Sequence, residues 1–404
     1  MKKVLFLVAL VLMSAGTFAQ KKNVSRAKNL ALMEENPDFA NARVAIGEAL
    51  ENEETKGLAD TWYVAGLIGY REAFMERIFR TGNVEKIGRD VLESINYWLK
   101  ADEMAMTPVY DKKGRPKYNT RVRRDIQPKM LEYYQNQELI QYGILLNDQQ
   151  EYQQAYDAFM TYLSIPDMPM MQDEKYKAQM PKDSTYLLYK YYTGRFAYAN
   201  KNYDEAIRLF SDLVDGETEN ISSAEHIYQC YIDKGDSAKA NEMLDIYIEK
   251  FPKEQWFMQN RINNLVSSGN TEAALVYLDK AIERAPQGQY YNSKASILSL
   301  MKRFDESLVS FEKALAMEPN NALFHQSYGY AYVDWGNMIY DAAQDLSAKE
   351  FDAELKKANE KFMQALPYFE KAYELEPENP DYKRTLRSLY YRLQMMDKYE
   401  ALAN

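Results

Sequence analysis

His226 and Cys230 stand four residues apart, the spacing that sets two side chains on one face of a helix, and an imidazole beside a thiol is the smallest unit of a thiolate nucleophile or half a metal site. Nothing in the sequence completes either one. His325 is the only other histidine, in a different part of the chain, and Cys230 is the only cysteine, so an internal disulfide is excluded. There is no His-Glu-x-x-His, no glycine loop that would cradle a phosphate and no calcium-loop pattern. Acyl transfer would further need oxyanion donors and a third group to orient the base. The expectation is therefore a protein that is not an enzyme, with no cofactor and no metal. The run Ile165-Pro166-Asp167-Met168-Pro169-Met170-Met171 with Met180-Pro181 gathers thioethers that suit cuprous ion. Without a histidine or cysteine beside them, they read as adaptable filler over an apolar groove.

The elements that must position these groups are written as a beat. Ala206, Ala240, Ala274, Ser307 and Ala365 are followed at +4 by Phe210, Leu244, Leu278, Phe311 and Phe369, and at +7 by Leu213, Tyr247, Ala281, Ala314 and Ala372. Pro252, Pro286, Pro319 and Pro377 close the last four at +12. Spacings of 0, +4 and +7 with charged residues between define one apolar helix face. The first steps are 34, 34 and 33 residues, and a fixed period of that size marks stacked helical hairpins. Twelve residues before several key positions stands another small residue: Gly143 before Ala155, Gly194 before Ala206 and Ala295 before Ser307. Small side chains there let two helices approach closely, where a leucine would overpack the contact by roughly 1–3 kcal/mol.

This pattern resembles the tetratricopeptide repeat, most strongly from 187 to 378. Units fall at 136–169, 187–220, 221–254, 255–287, 288–320 and 322–378, with Trp62 and Gly66, and Ala42, Ile46 and Ala49, as degenerate members upstream. Tyr228 and Ile262 depart from the family pattern by occupying the small-residue position. The resemblance implies an all-α fold, a right-handed superhelical array of helix-turn-helix repeats in one solenoid domain. The expected organisation is 1–19 as signal peptide, 20–135 as degenerate repeats, 136–378 as the array, and 379–404 as capping helix and tail.

The beat breaks in three places. Residues 102–125 hold Lys112, Lys113, Arg115, Lys117, Arg121, Arg123 and Arg124, with Gly114 in a turn between Tyr110 and Tyr118, a candidate β-hairpin. A basic loop on an acidic chain could grip an anionic partner or membrane surface, though most charged loops are merely solvated. The step Ala155 to Ala206 is 17 residues too long and contains the methionines. The step Ser307 to Ala365 is 24 too long, and the rhythm of Trp335, Ile339, Ala342 and Leu346, then Phe351, Leu355, Ala358 and Phe362, predicts an extended hairpin at about 335–362. Ser347 and Glu350 form a capping box that starts its second helix. It is a possible dimer contact or docking arm.

In proteins of the resembled family, the first helix of each repeat lines a concave groove. Carried over, that implies a groove of Tyr191, Tyr192, Arg195, Tyr198, His226, Gln229, Gln259, Asn260, Asn263, Asn292, Ser296, Gln326 and Tyr330. Side-chain amides match an extended peptide backbone or sugar hydroxyls, and aromatic faces stack on apolar groups. Lys2 and Lys3, the apolar run Val4 to Met13 and the small residues Thr17 and Ala19 predict a secretory signal cleaved after Ala19, hence a periplasmic protein. Its removal moves the formal charge from −10 to −12, which disfavours nucleic acid. The expected role is an interaction scaffold in the cell envelope that binds a protein or peptide partner of unknown identity, its oligomeric state unknown. A glycan- or nutrient-binding accessory of an outer-membrane uptake system is the alternative.

Overall fold

Each beat is a helix, and the small residue before it lies on the helix it packs against. The structure is a computed structural model that describes residues 22–216 and 220–402; the expected signal peptide at 1–19 lies outside the described residues. The chain is an all-α helical repeat array, and its packing groups into two compact units, one ending at Asp236 and one beginning at Ser237.

The first unit runs α1 (22–31), α2 (Phe39–Glu51), α3 (Ala59–Ile78) and α4 (Val84–Ala105), then a short hairpin of β1 (Val109–Tyr110) and β2 (Pro116–Lys117). It continues through α5 (Thr120–Asn136), α6 (Glu138–Asp148), α7 (Tyr152–Ser164), α8 (Glu174–Lys177), α9 (Ser184–Ala199), α10 (Tyr203–Val214) and α11 (Ile221–Asp233). The second unit comprises α12 (Ser237–Lys250), α13 (Gln255–Ser267), α14 (Thr271–Arg284), α15 (Gly288–Leu300) and α16 (Phe304–Met317). It ends with α17 (Ala322–Ala342), α18 (Ala348–Leu375), α19 (Pro380–Arg392) and α20 (Met396–Ala401). Neighbours α3 and α4, α6 and α7, α9 and α10, α15 and α16, and α17 and α18 pack as hairpins.

A single steric rule explains the beat. The aromatic at +4 rests on the small residue of the partner helix: a Cβ added to Gly194 would lie 2.7 Å from the Phe210 ring, and one on Gly329 would lie 2.9 Å from Phe369. Gly143 is equally closed by Phe159, and Gly66 by Trp98 at 2.5 Å. Phe159, Phe210, Phe369 and Trp98 are all fully buried, so the ring occupies the space that the missing side chain leaves. Where the small residue is replaced by Ile262, the sixteen-residue spacing pairs it with Leu278 rather than a ring, and both are buried. A large residue on one side is offset by a smaller one on the other.

The turn inside the hairpin repeats as well. Gln150, Lys201, Gly235, Gly269 and Lys302 all have left-handed φ between 60° and 78°, at the end of the first helix of each unit. Glycine adopts this conformation without a Cβ clash; the glutamine and lysines hold it at some cost because the helix-to-helix turn requires it.

The extra residues between Ser307 and Ala365 lie in the end of α17 and the start of α18. α17 has 21 residues and α18 has 28, against 13 and 14 in α15 and α16, so the two helices continue together beyond the ordinary hairpin. Ser347 and Glu350 form the capping box at the start of α18. Gly336 is closed by Phe362 at 2.5 Å, and Trp335 stacks on Phe304 with centroids 5.2 Å apart. The methionine segment folds inward: Met168, Met170, Met171 and Met180 are buried, tied down by Gln127, whose Nε2 donates to the Met170 carbonyl at 2.8 Å. The thioethers are core of the first unit and are not displayed to solvent.

Candidate functional site

In the first unit α6, α7, α9 and α11 enclose a cleft of about 580 Å³. α9 supplies most of its wall. Its start is capped by Asp183, whose carboxylate accepts from the amides of Thr185 at 3.0 Å and Tyr186 at 3.1 Å. From there Tyr189, Tyr192, Arg195, Phe196 and Ala199 recur at helical spacing and line the cleft. Ile144 and Asn147 from α6, Tyr152 and Phe159 from α7, and His226 from α11 complete it.

The rings hold one another in place. Phe159 meets Tyr189 edge-on at 5.9 Å and Phe196 edge-on at 5.1 Å. His226 sits against Phe210 at 5.0 Å, Tyr191 at 5.5 Å and Tyr198 at 6.3 Å, and its Nδ1 donates to the Ser222 carbonyl at 2.7 Å. That bond commits Nδ1 and leaves Nε2 as the ring's remaining polar atom. Tyr198 donates to Asp233 at 2.5 Å, and this bond, with some desolvation, pushes its phenol up to about 12. Gln229 donates to the other oxygen of Asp233 at 2.9 Å. The acid beside the cleft is thus engaged by two donors.

Arg195 is different. Its guanidinium lies 5.9 Å from the Tyr192 ring and has no carboxylate partner among the described residues. An exposed cation without a counter-ion, set among aromatic rings, recognises an acidic group attached to an apolar one.

Of the groove residues expected in this unit, Arg195, Tyr192, Tyr198 and His226 line the cleft, Tyr191 supports His226 from behind, and Gln229 is engaged by Asp233. Ile144, Asn147, Tyr152 and Tyr189 were not foreseen, although Tyr189 precedes Tyr192 and Arg195 at the spacing of one helix face. The His226 and Cys230 pair does not make a thiolate: Cys230 is fully buried, and loss of solvent pushes its thiol up to about 12.

The amide row expected in the second unit is mostly occupied within its own helices. Gln259 donates to Asn263 at 3.0 Å and Asn260 to the Trp256 carbonyl at 2.8 Å. Asn292 is a correction: it is 6% exposed and lies in the interior, its Oδ1 without a hydrogen bond, because its position on α15 faces the neighbouring helices. Ser296 donates back to the Asn292 carbonyl at 3.0 Å, and Gln326 is half-buried. Tyr330 alone lines a second, more open cleft of about 640 Å³, with Val333, Phe369, Arg384 and Arg392, and meets Thr385 at 3.1 Å.

Residues 288–321, spanning α15 and α16, match the family model for the tetratricopeptide repeat. No curated protein matches the chain significantly. Among solved structures, a thermophilic tetratricopeptide protein of Thermus thermophilus is 17% identical over 51% of this chain and 99% of that one, with a TM-score of 0.34. A repeat protein from Bacteroides fragilis NCTC 9343 is 14% identical over 63% of this chain and 98% of that one, with a TM-score of 0.32. YrrB, described as having an unusual peptide-binding site, is 14% identical over 49% and 91%, also at 0.32. Scores this low carry no argument about function. The match at 288–321 shows one tetratricopeptide repeat in this chain, on a hairpin whose small-against-aromatic packing recurs in both units.

Proposed function

We propose that this protein is a non-catalytic interaction scaffold of the cell envelope, exported to the periplasm after removal of residues 1–19, and that it holds a peptide segment of a partner protein in the cleft of α6, α7, α9 and α11. The observation that carries the reading is Arg195, an unpaired cation at the rim of a cavity otherwise walled by Tyr152, Phe159, Tyr189, Tyr192 and Phe196. The matching segment places an Asp, a Glu or a terminal carboxylate next to a large apolar side chain. A buried, protonated Cys230 and a histidine whose Nδ1 is bonded to backbone leave no activated nucleophile in this cleft.

Panning a random-peptide library on the intact protein should enrich segments that pair an acidic with an aromatic or large aliphatic residue. Arg195→Ala should then weaken the selected peptides by about 10- to 100-fold, the worth of a hydrogen bond to a charged group. Arg195 is exposed, so the melting temperature should not move. Peptides without acidic residues, or equal affinity for wild type, Arg195→Ala and Tyr192→Ala, would refute the assignment.

A further inference from the structure

The basic segment singled out in the sequence is a β-finger standing out from the first unit, and its chemistry is distinct from that of the cleft. Residues 111–124 carry seven Lys or Arg against the single acid Asp111, on a chain whose net charge is −10. Three of the seven are engaged: Arg115 by Asp111, Arg121 by Asp60, and Arg123 by Asp102 at 2.6 Å. The side chains of Lys112, Lys113, Lys117 and Arg124 have no partner among the described residues.

The finger is built to stay formed although it has only two residues per strand, a size that is marginal alone. Val109 pairs with Lys117 and Tyr110 with Pro116. Asp111 closes the turn, its carboxylate accepting from the amides of Lys113 at 2.8 Å and Arg115 at 3.0 Å and from the Arg115 guanidinium at 2.9 Å. Gly114 takes the left-handed φ of 72° that the turn needs. The base is anchored where the Asn119 amide donates to the Ala105 carbonyl at 2.9 Å.

Strand alternation sorts its side chains. Tyr110 and Pro116 share one face, and Tyr118, two residues on from Pro116, continues it; Val109 and Lys117 share the other. Val109 is 71% exposed, Tyr110 66% and Tyr118 47%, so the apolar groups on both faces are open to solvent. Lys112 and Lys113 sit at the tip. No residue of the finger lines either cleft described above. It offers an aromatic face with two unpaired cations at its tip, the layered chemistry of a bilayer surface with anionic phosphates outside and an apolar boundary beneath.

We propose that the finger Val109–Tyr118 docks the protein on an anionic lipid surface, with Tyr110, Pro116 and Tyr118 entering the headgroup layer and the tip lysines Lys112 and Lys113 pairing with lipid phosphates. The occupant is a bilayer of anionic lipid; it does not depend on what the cleft binds.

The test is sedimentation of the intact protein with vesicles of phosphatidylcholine alone or with a quarter phosphatidylglycerol, at low and physiological salt. Wild type should bind only the anionic vesicles, more weakly as salt rises. Lys112→Gln/Lys113→Gln should reduce that binding by about 25-fold, at roughly a factor of five per cation. Tyr110→Ser/Tyr118→Ser should reduce it several-fold with all charges kept, and Arg195→Ala should leave it unchanged. All of these sites are exposed, so unchanged circular dichroism is expected in every variant. Equal sedimentation of wild type and the double lysine variant overturns the proposal. So does binding of polyglutamate as tight as that of anionic vesicles with no loss in the tyrosine variant, which would assign the finger to an acidic polypeptide.

Discussion

Gly194→Ile should destabilise the protein by about 3 kcal/mol, and adding Phe210→Leu should recover a large part of that loss. The first expectation follows from the contact itself: the three atoms nearest a new Cβ at Gly194 all belong to the Phe210 ring, which is fully buried and has nowhere to move. The second follows from the molecule's own precedent, in which Ile262 and Leu278 occupy the corresponding positions of another repeat. Phe210→Leu alone leaves a cavity and should cost about 1–2 kcal/mol. The two changes are therefore non-additive, with the double variant more stable than Gly194→Ile. Urea denaturation of the intact chain measures this directly. A double variant as unstable as the sum of the singles would show that volume matching between partner helices does not set the beat.

The second large effect concerns charge. Arg77, at the end of α3, donates to Glu132 at 2.6 Å and to Glu138 at 2.5 Å, and the Glu138 side chain is only 7% exposed. The other oxygen of Glu138 has no hydrogen bond, while Glu132 also accepts from Tyr70 at 2.6 Å. Arg77→Met should cost about 3–5 kcal/mol at neutral pH, because it strands a buried carboxylate. Burial already holds the Glu138 carboxyl above its usual range against the pull of Arg77, and removing the arginine drives it higher. A carboxyl whose folded pKa exceeds its unfolded value binds more protons when folded. Its stabilising effect is complete below the unfolded pKa and is lost as pH rises through the folded one. The Arg77→Met variant should thus regain stability relative to wild type as pH falls from neutral toward the carboxylate range. Arg77→Met/Glu138→Gln should be more stable than Arg77→Met at neutral pH and lack that pH dependence. A variant equally destabilised at every pH would mean that Glu138 is solvated rather than stranded.

The regular hairpins were legible because their determinants are local: a 3.6-residue period, and a small residue a fixed distance from a ring. The same grammar was legible only in part in α3 and α4, where Trp62 and Gly66 stand out as a degenerate member but the partner of Gly66 does not. Ser94, Trp98 and Ala101 repeat the 0, +4, +7 face, and Trp98 closes on Gly66, but both helices are longer than usual, so counting at a fixed period steps over them. Half of the cleft was legible for a similar reason. Tyr192, Arg195 and His226 belong to consecutive units, whereas Ile144, Asn147 and Tyr152 belong to the unit at 136–169, separated from them in sequence by the methionine segment. α7 packs directly on α9, through Phe159 against Tyr189 and Phe196, across a methionine segment that is buried but is not counted in the period. The amides of the second unit show the converse. Gln259 and Asn263 stand at i and i+4, a spacing that satisfies them on their own helix as readily as it offers them to a ligand.

Whether the cleft walled by α6, α9 and α11 holds a partner's acidic–apolar segment is decided by hydrogen exchange of the intact protein, with and without a saturating peptide selected by panning. Slowed exchange is expected in Glu138–Asp148, Ser184–Ala199 and Ile221–Asp233, and Arg195→Ala should require about 10- to 100-fold more peptide for the same protection. Protection confined to the finger at Val109–Lys117 or to helices beyond Ser237, with these three helices unchanged, would show that the cleft is not where the partner binds.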